Sequence, residues 1–149
     1  MFSRLAGALF PSRQVPDSAT KPSKTVLIIE DNPHDREIFS LALEQAEYQI
    51  VTAANCDYGL ETLGKRSVDL ILLDLILPGD TGWTAAEELR GDAKTSSIPI
   101  IIVSAHVAPQ LDSRLRNLGG ECCLEKPLDP DDIVHQVNRL IGPATAVAD

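Results

Sequence analysis

Val68-Asp-Leu-Ile-Leu-Leu-Asp74, continued by Leu75-Ile-Leu-Pro-Gly-Asp-Thr-Gly82, decides the fold. The near-continuous apolar run reads as a strand covered on both faces, as in a parallel sheet flanked by helices. It ends on a carboxylate, Asp74, and the chain then turns through Pro78, Gly79 and Gly82. An ionised group at the end of a buried strand is costly unless it is solvated, paired or bound to a cation. Open parallel sheets hold their ligands outside the carboxyl ends of the strands. Asp74 is therefore either a functional carboxylate at a sheet edge or a cap for the turn that follows.

Outward from this strand, apolar runs and helix signals alternate. Val26-Leu-Ile-Ile29 reads as a strand that ends at Glu30-Asp31. Asn32, Pro33 and Asp35 mark a helix start, with Ile38, Phe39, Leu41, Ala42 and Ala46 as its apolar stripe. A strand over 49–53 follows. Asn55 then caps a helix carrying Tyr58, Leu60 and Leu63 that stops near Gly64. A third helix covers 83–89 and stops at Gly91. Ile100-Ile-Ile-Val103 is the next strand and ends at Ser104, and a helix over 110–118 runs to Gly119-Gly120. Cys122–Leu124 is the last strand, ending at Glu125-Lys126-Pro127. Asp129 caps a final helix with Ile133, Val134, Val137, Leu140 and Ile141 as its apolar row, closed by Gly142-Pro143. Five strands alternating with five helices specify an α/β, doubly wound parallel sheet, because parallel neighbours need crossover connections.

The chain has 149 residues, 44% apolar and 23% charged, enough for one domain with a sizeable core and spare chain at its ends. Residues 1–24, punctuated by Pro11, Pro16 and Pro22, read as a flexible leader, 25–142 as the folded domain and 143–149 as a short tail. Four basic residues against one acid give the leader a charge of +3, which leaves −12 for the rest of a chain whose net charge is −9. Such an acidic domain is unsuited to direct nucleic-acid binding, and its clustered acids call for a cation. No apolar run approaches the roughly 20 residues that span a bilayer. Cys56, Cys122 and Cys123 form no CxxC pair and read as small packed residues of a reducing cytosol.

Each strand of interest ends in a polar residue: Glu30 and Asp31, Asp74, Ser104, Lys126. On one sheet edge these amount to three carboxylates, a hydroxyl and an ammonium. The carboxylates suit Mg²⁺, and the lysine and hydroxyl suit a phosphoryl group that Asp74 could accept.

Residues 25–141 resemble the receiver domain of the two-component response regulators, of the chemotaxis type. The resemblance is carried by Ile29-Glu-Asp31, Leu73-Asp-Leu-Ile-Leu-Pro78 with Gly82, Val103-Ser-Ala105 and Glu125-Lys-Pro127. The intervals also fit: 43 residues from Asp31 to Asp74, 30 on to Ser104 and 22 on to Lys126. The resemblance implies a flavodoxin-like sheet of order 2-1-3-4-5. It further implies that Asp74 is the phosphoacceptor and that Glu30, Asp31, Asp74 and the backbone carbonyl of Ile76 hold Mg²⁺. Ser104 and Lys126 would bind phosphoryl oxygens, and a cis peptide before Pro127 would aim Lys126. Phosphorylation would draw Ser104 inward and move the loop at 103–108. Ile76 and His106 stand where the family tunes phosphate lifetime. Cys123 stands where the family usually carries an aromatic switch ring, so the readout should differ.

The implied protein is a cytoplasmic, bacterial single-domain regulator and not an enzyme. It would be phosphorylated by a sensor histidine kinase or histidine phosphotransfer protein and read by a downstream protein target, with a homodimer left open. Two other functions compete with this one. A receiver that no longer switches could serve as a scaffold, and a small phosphoryl-transfer hydrolase could use the same Mg²⁺ and aspartate but shows no evident general acid or specificity cap.

Overall fold

The computed structural model describes residues 23–75, 82–104 and 122–144. Five strands form one sheet: β1 (Thr25–Ile29), β2 (Gln49–Ala53), β3 (Leu70–Asp74), β4 (Ile100–Ser104) and β5 (Cys122–Glu125). Their order is β2-β1-β3-β4-β5 and every pairing is parallel. The doubly wound sheet expected from the alternation is therefore present. Four helices lie among the described residues: α1 (Pro33–Gln45), α2 (Cys56–Lys65), α3 (Gly82–Gly91) and α4 (Pro130–Ile141). The helix expected over 110–118 lies outside them, as do the leader to residue 22, Ile76, the turn at Pro78-Gly79, His106 and the tail beyond Ala144.

Alternation along each strand divides the core into two layers. Leu27, Ile29, Ile71, Leu73, Ile100 and Ile102 pack on the side of α2 and α3, with Cys56, Ala85, Ala86 and Leu89. Val26, Ile28, Leu70, Leu72, Ile101 and Val103 pack on the other side, with Phe39 and Leu43 of α1 and Ile133 and Val137 of α4. Both faces of β1, β3 and β4 are covered, which is why these strands read as unbroken apolar runs. Each fully buried aliphatic side chain contributes about 1.5–3 kcal/mol through removal from water.

The helix faces correct two expectations. Leu41 was placed in the apolar stripe of α1 but is 50% exposed, whereas Leu43 is fully buried. Two residues past Phe39 is roughly 200° around a helix, so Leu41 points away from the sheet that Phe39 meets. Tyr58 was placed on the packed face of α2 and is 61% exposed. That face is made by Cys56, Gly59, Leu60 and Leu63. α2 ends at Lys65, beside Gly64, where the helix was expected to stop.

Two side chains fasten the ends of the fold. The Tyr48 hydroxyl lies 2.7 Å from Asn138 Oδ1 and 2.6 Å from the Gly142 carbonyl, joining the β1–β2 connection to the end of α4. Lys24 joins the same end: its backbone N–H donates to the Ala144 carbonyl at 2.9 Å and its ammonium to the Ile141 carbonyl.

Candidate functional site

Strand register brings the polar strand ends together. Ile29 pairs with Leu73, so Glu30, the next residue, is level with Asp74. Asp74 pairs with Val103, and Ser104 pairs with Glu125. The backbone N–H of Lys126 then donates to the Ser104 carbonyl at 2.8 Å, which carries the lysine over the same edge. The Lys126–Pro127 peptide is cis, as the resemblance implied.

Carboxylate oxygens of Glu30, Asp31 and Asp74 lie within 4.8 Å of one another. Asp31 is exposed, but Glu30 and Asp74 keep only 1% and 4% of their surface in contact with solvent. The Lys126 ammonium sits 3.0 Å from Glu30 Oε1, 3.1 Å from Asp74 Oδ2 and 3.1 Å from Asp35 Oδ2. Three carboxylates thus surround one ammonium. Burial alone would lower the Lys126 pKa, but Glu30, Asp35 and Asp74 outweigh it and hold the group above the usual lysine value.

Glu30 is shifted upward as well, here because its charged form is disfavoured. Burial, followed by its contact with Asp74 and the charge there, pushes its pKa from 4.5 up to about 7, against the pull of Lys126 and the Asn32 N–H. Its Oε2 accepts from that N–H at 3.2 Å. Its Oε1 meets Lys126 as an ion pair without a hydrogen bond and has no hydrogen-bond partner among the described residues. A buried, unsatisfied carboxylate oxygen facing two more carboxylates fits a hard cation, and an all-oxygen donor set fits Mg²⁺.

The loop after β1 is shaped by local chemistry. Asn32 caps α1, its Oδ1 accepting from the N–H groups of His34 at 2.9 Å and Asp35 at 3.0 Å, and Pro33 occupies the first turn. Arg36 donates through Nη1 to the carbonyls of Glu30 at 2.8 Å and Asp31 at 3.4 Å, bracing the acidic pair from behind.

Of the residues singled out in the sequence, the structure brings Glu30, Asp31, Asp74 and Lys126 into one cluster. Ser104 is buried at the adjoining strand end. Cys123 is half-buried and packs against the core layer of α2 and α3. Ile76 and His106 lie outside the described residues. Sequence reasoning used Asp35 only as a mark of helix entry and missed its place on Lys126. The usable signal was the Asn32-Pro33 cap, which puts Asp35 in the first turn beside the end of β1.

The family model for the response regulator receiver domain matches residues 26–138. The chain is 34% identical over 130 residues to the phosphate regulon transcriptional regulatory protein PhoB of Pseudomonas aeruginosa, an overlap covering 84% of this chain and 56% of PhoB, little more than half of that relative. Among solved structures, a putative response regulator from Chloroflexus aurantiacus is 28% identical with a TM-score of 0.75, over 81% of this chain and 98% of that one. The receiver domain of the sensor histidine kinase PA1611 from P. aeruginosa, solved with a magnesium ion coordinated in its active-site cleft, has a TM-score of 0.73 at 24% identity. The overlap there is 80% of this chain and 98% of that one. The chain belongs to the response regulator receiver family of two-component systems. Among the described residues no helix is long and apolar enough to cross a membrane.

Proposed function

We propose that this receiver accepts a phosphoryl group on Asp74 in a Mg²⁺-dependent reaction and signals through protein contacts that change on phosphorylation. The observation that carries the reading is the triad of Glu30, Asp31 and Asp74 with oxygens inside 4.8 Å, beside an ammonium 3.1 Å from Asp74. Glu30, Asp31 and Asp74, with the carbonyl of Ile76, would hold Mg²⁺; bound there, it supplies positive charge against the phosphoryl oxygens. The magnesium described for the PA1611 receiver supports this assignment.

A carboxylate oxygen of Asp74 attacks phosphorus in line, the new bond forms an acyl phosphate, and the bond from phosphorus to the donor's leaving group breaks. With a phosphohistidine donor, the imidazole nitrogen leaves with the electron pair. Lys126 neutralises one phosphoryl oxygen and the Ser104 hydroxyl donates to another. The donor is a sensor histidine kinase or a histidine phosphotransfer protein, and the output is a protein target. The chain's charge of −9 disfavours direct contact with nucleic acid. In this reading residues 1–24 are a leader, 25–142 the cytoplasmic receiver and 143–149 a tail. Its only chemistry is its own phosphorylation and dephosphorylation.

Cys123, in the position of the usual ring, favours a second reading, a receiver kept as a scaffold. Incubation with acetyl phosphate followed by intact mass separates the two. The first reading predicts one added phosphoryl group in Mg²⁺, none in EDTA and none in Asp74→Asn. An unchanged wild-type mass in Mg²⁺ would establish the scaffold instead.

A further inference from the structure

We infer that Asp35 is a positioning residue for phosphoryl transfer, the anchor that keeps Lys126 aimed once a cation occupies the acidic triad. The inference rests on the reading of Asp74 as phosphoacceptor. An ammonium has three N–H donors, and Lys126 faces three carboxylates: Glu30, Asp74 and Asp35. Two of these, Glu30 and Asp74, belong to the triad whose oxygens converge within 4.8 Å, and Asp35 does not. A cation held by the triad draws on the carboxylates that Lys126 now shares, and leaves Asp35 as the lysine's own partner. The donors turned away from Glu30 and Asp74 then point at the space a phosphoryl group must enter.

Asp35 is built for that task. Its backbone N–H is fixed by the Asn32 cap at 3.0 Å, and it sits in the first turn of a 13-residue helix. Lys126 comes from the end of β5, 91 residues away in sequence, on a flexible four-carbon stem. Unanchored, that stem samples many rotamers, few of which bring the ammonium to the phosphoryl oxygens. The same ion pair ties the start of α1 to the segment entering α4, so α1 is coupled to the occupancy of the site.

The test measures the rate of phosphoryl incorporation from acetyl phosphate at saturating Mg²⁺. It compares wild type, Asp35→Asn, Lys126→Ala, the double variant and Asp74→Asn, with thermal melting as a check on folding. Asp35→Asn keeps the size of the side chain and removes its charge. We expect it to slow incorporation about tenfold, the scale of a misaimed contact. On the Lys126→Ala background it should slow the reaction by less than about twofold, because the lysine it aims is gone. A wild-type rate in Asp35→Asn, or an equal slowing with and without Lys126, overturns the inference. If Asp74→Asn still incorporates phosphate, the phosphoacceptor reading itself fails. A silent Asp74→Asn beside a wild-type rate in Asp35→Asn removes the role of Asp35 alone.

Discussion

Glu30 and Asp74 lie side by side at the end of a buried sheet, with one lysine between them and almost no water. In the absence of metal, burial raises the Glu30 pKa from 4.5 to about 7, so the folded chain binds this proton more tightly than the unfolded chain does. Stability from this group is fully present below pH 4.5 and is lost as pH rises towards 7. At about 1.4 kcal/mol per pKa unit the loss is on the order of 3 kcal/mol. Urea unfolding in EDTA should therefore show wild type losing stability relative to Glu30→Gln between pH 5 and 7.5. A difference that stays flat or grows with pH would refute this account of Glu30. At this scale the sequence was legible where spacing alone carries the argument, in Glu30, Asp31, Asp74 and Lys126. It was not legible for Asp35, because a contact across 91 residues depends on how α1 is set against the end of β5.

Among the elements, the strands were the easiest to read, since burial on both faces leaves no polar interruption in β1, β3 and β4. Helix faces were harder. An apolar residue such as Leu41 or Tyr58 enters a stripe on paper, but its rotation about the axis is fixed by the residues that must approach the sheet most closely. In α2 that residue is Gly59, where an added Cβ would come within 2.6 Å of Ile29 Cδ1 and 3.0 Å of its Cγ1. Gly64, one turn later, has open space around it. The two glycines should respond oppositely to alanine. Gly59→Ala forces β1 and α2 apart, and the overpacking, about 1–3 kcal/mol, exceeds the gain in helix propensity of about 1 kcal/mol. Gly64→Ala keeps that gain and should raise stability by about 0.5–1 kcal/mol. Thermal or urea unfolding of the two variants checks the pair, and equal signs would contradict the packing described for α2.

Over the whole molecule, the order β2-β1-β3-β4-β5 gathers the polar strand ends of β1, β3, β4 and β5 on one edge, where the carboxylates of Glu30, Asp31 and Asp74 converge. A divalent cation that binds this edge only in the folded state must stabilise the fold, by about 2.7 kcal/mol at a hundred times its dissociation constant. Mg²⁺ should accordingly raise the melting temperature of wild type, and raise it less in Asp74→Asn; equal shifts would place the cation elsewhere. The topology was legible from the alternation of strands and helices, and the edge from the residues that end the strands. What a sequence could not supply is the sharing of one ammonium among three carboxylates, which exists only once the register is set. The central claim is that this edge makes an acyl phosphate at Asp74. Borohydride reduction of the phosphorylated protein, followed by peptide mass mapping, tests it most directly, since the reagent converts an aspartyl phosphate to homoserine. We predict homoserine at position 74 in a sample treated with acetyl phosphate and Mg²⁺; homoserine at another position, or at none in a protein that has gained phosphate, would contradict the account.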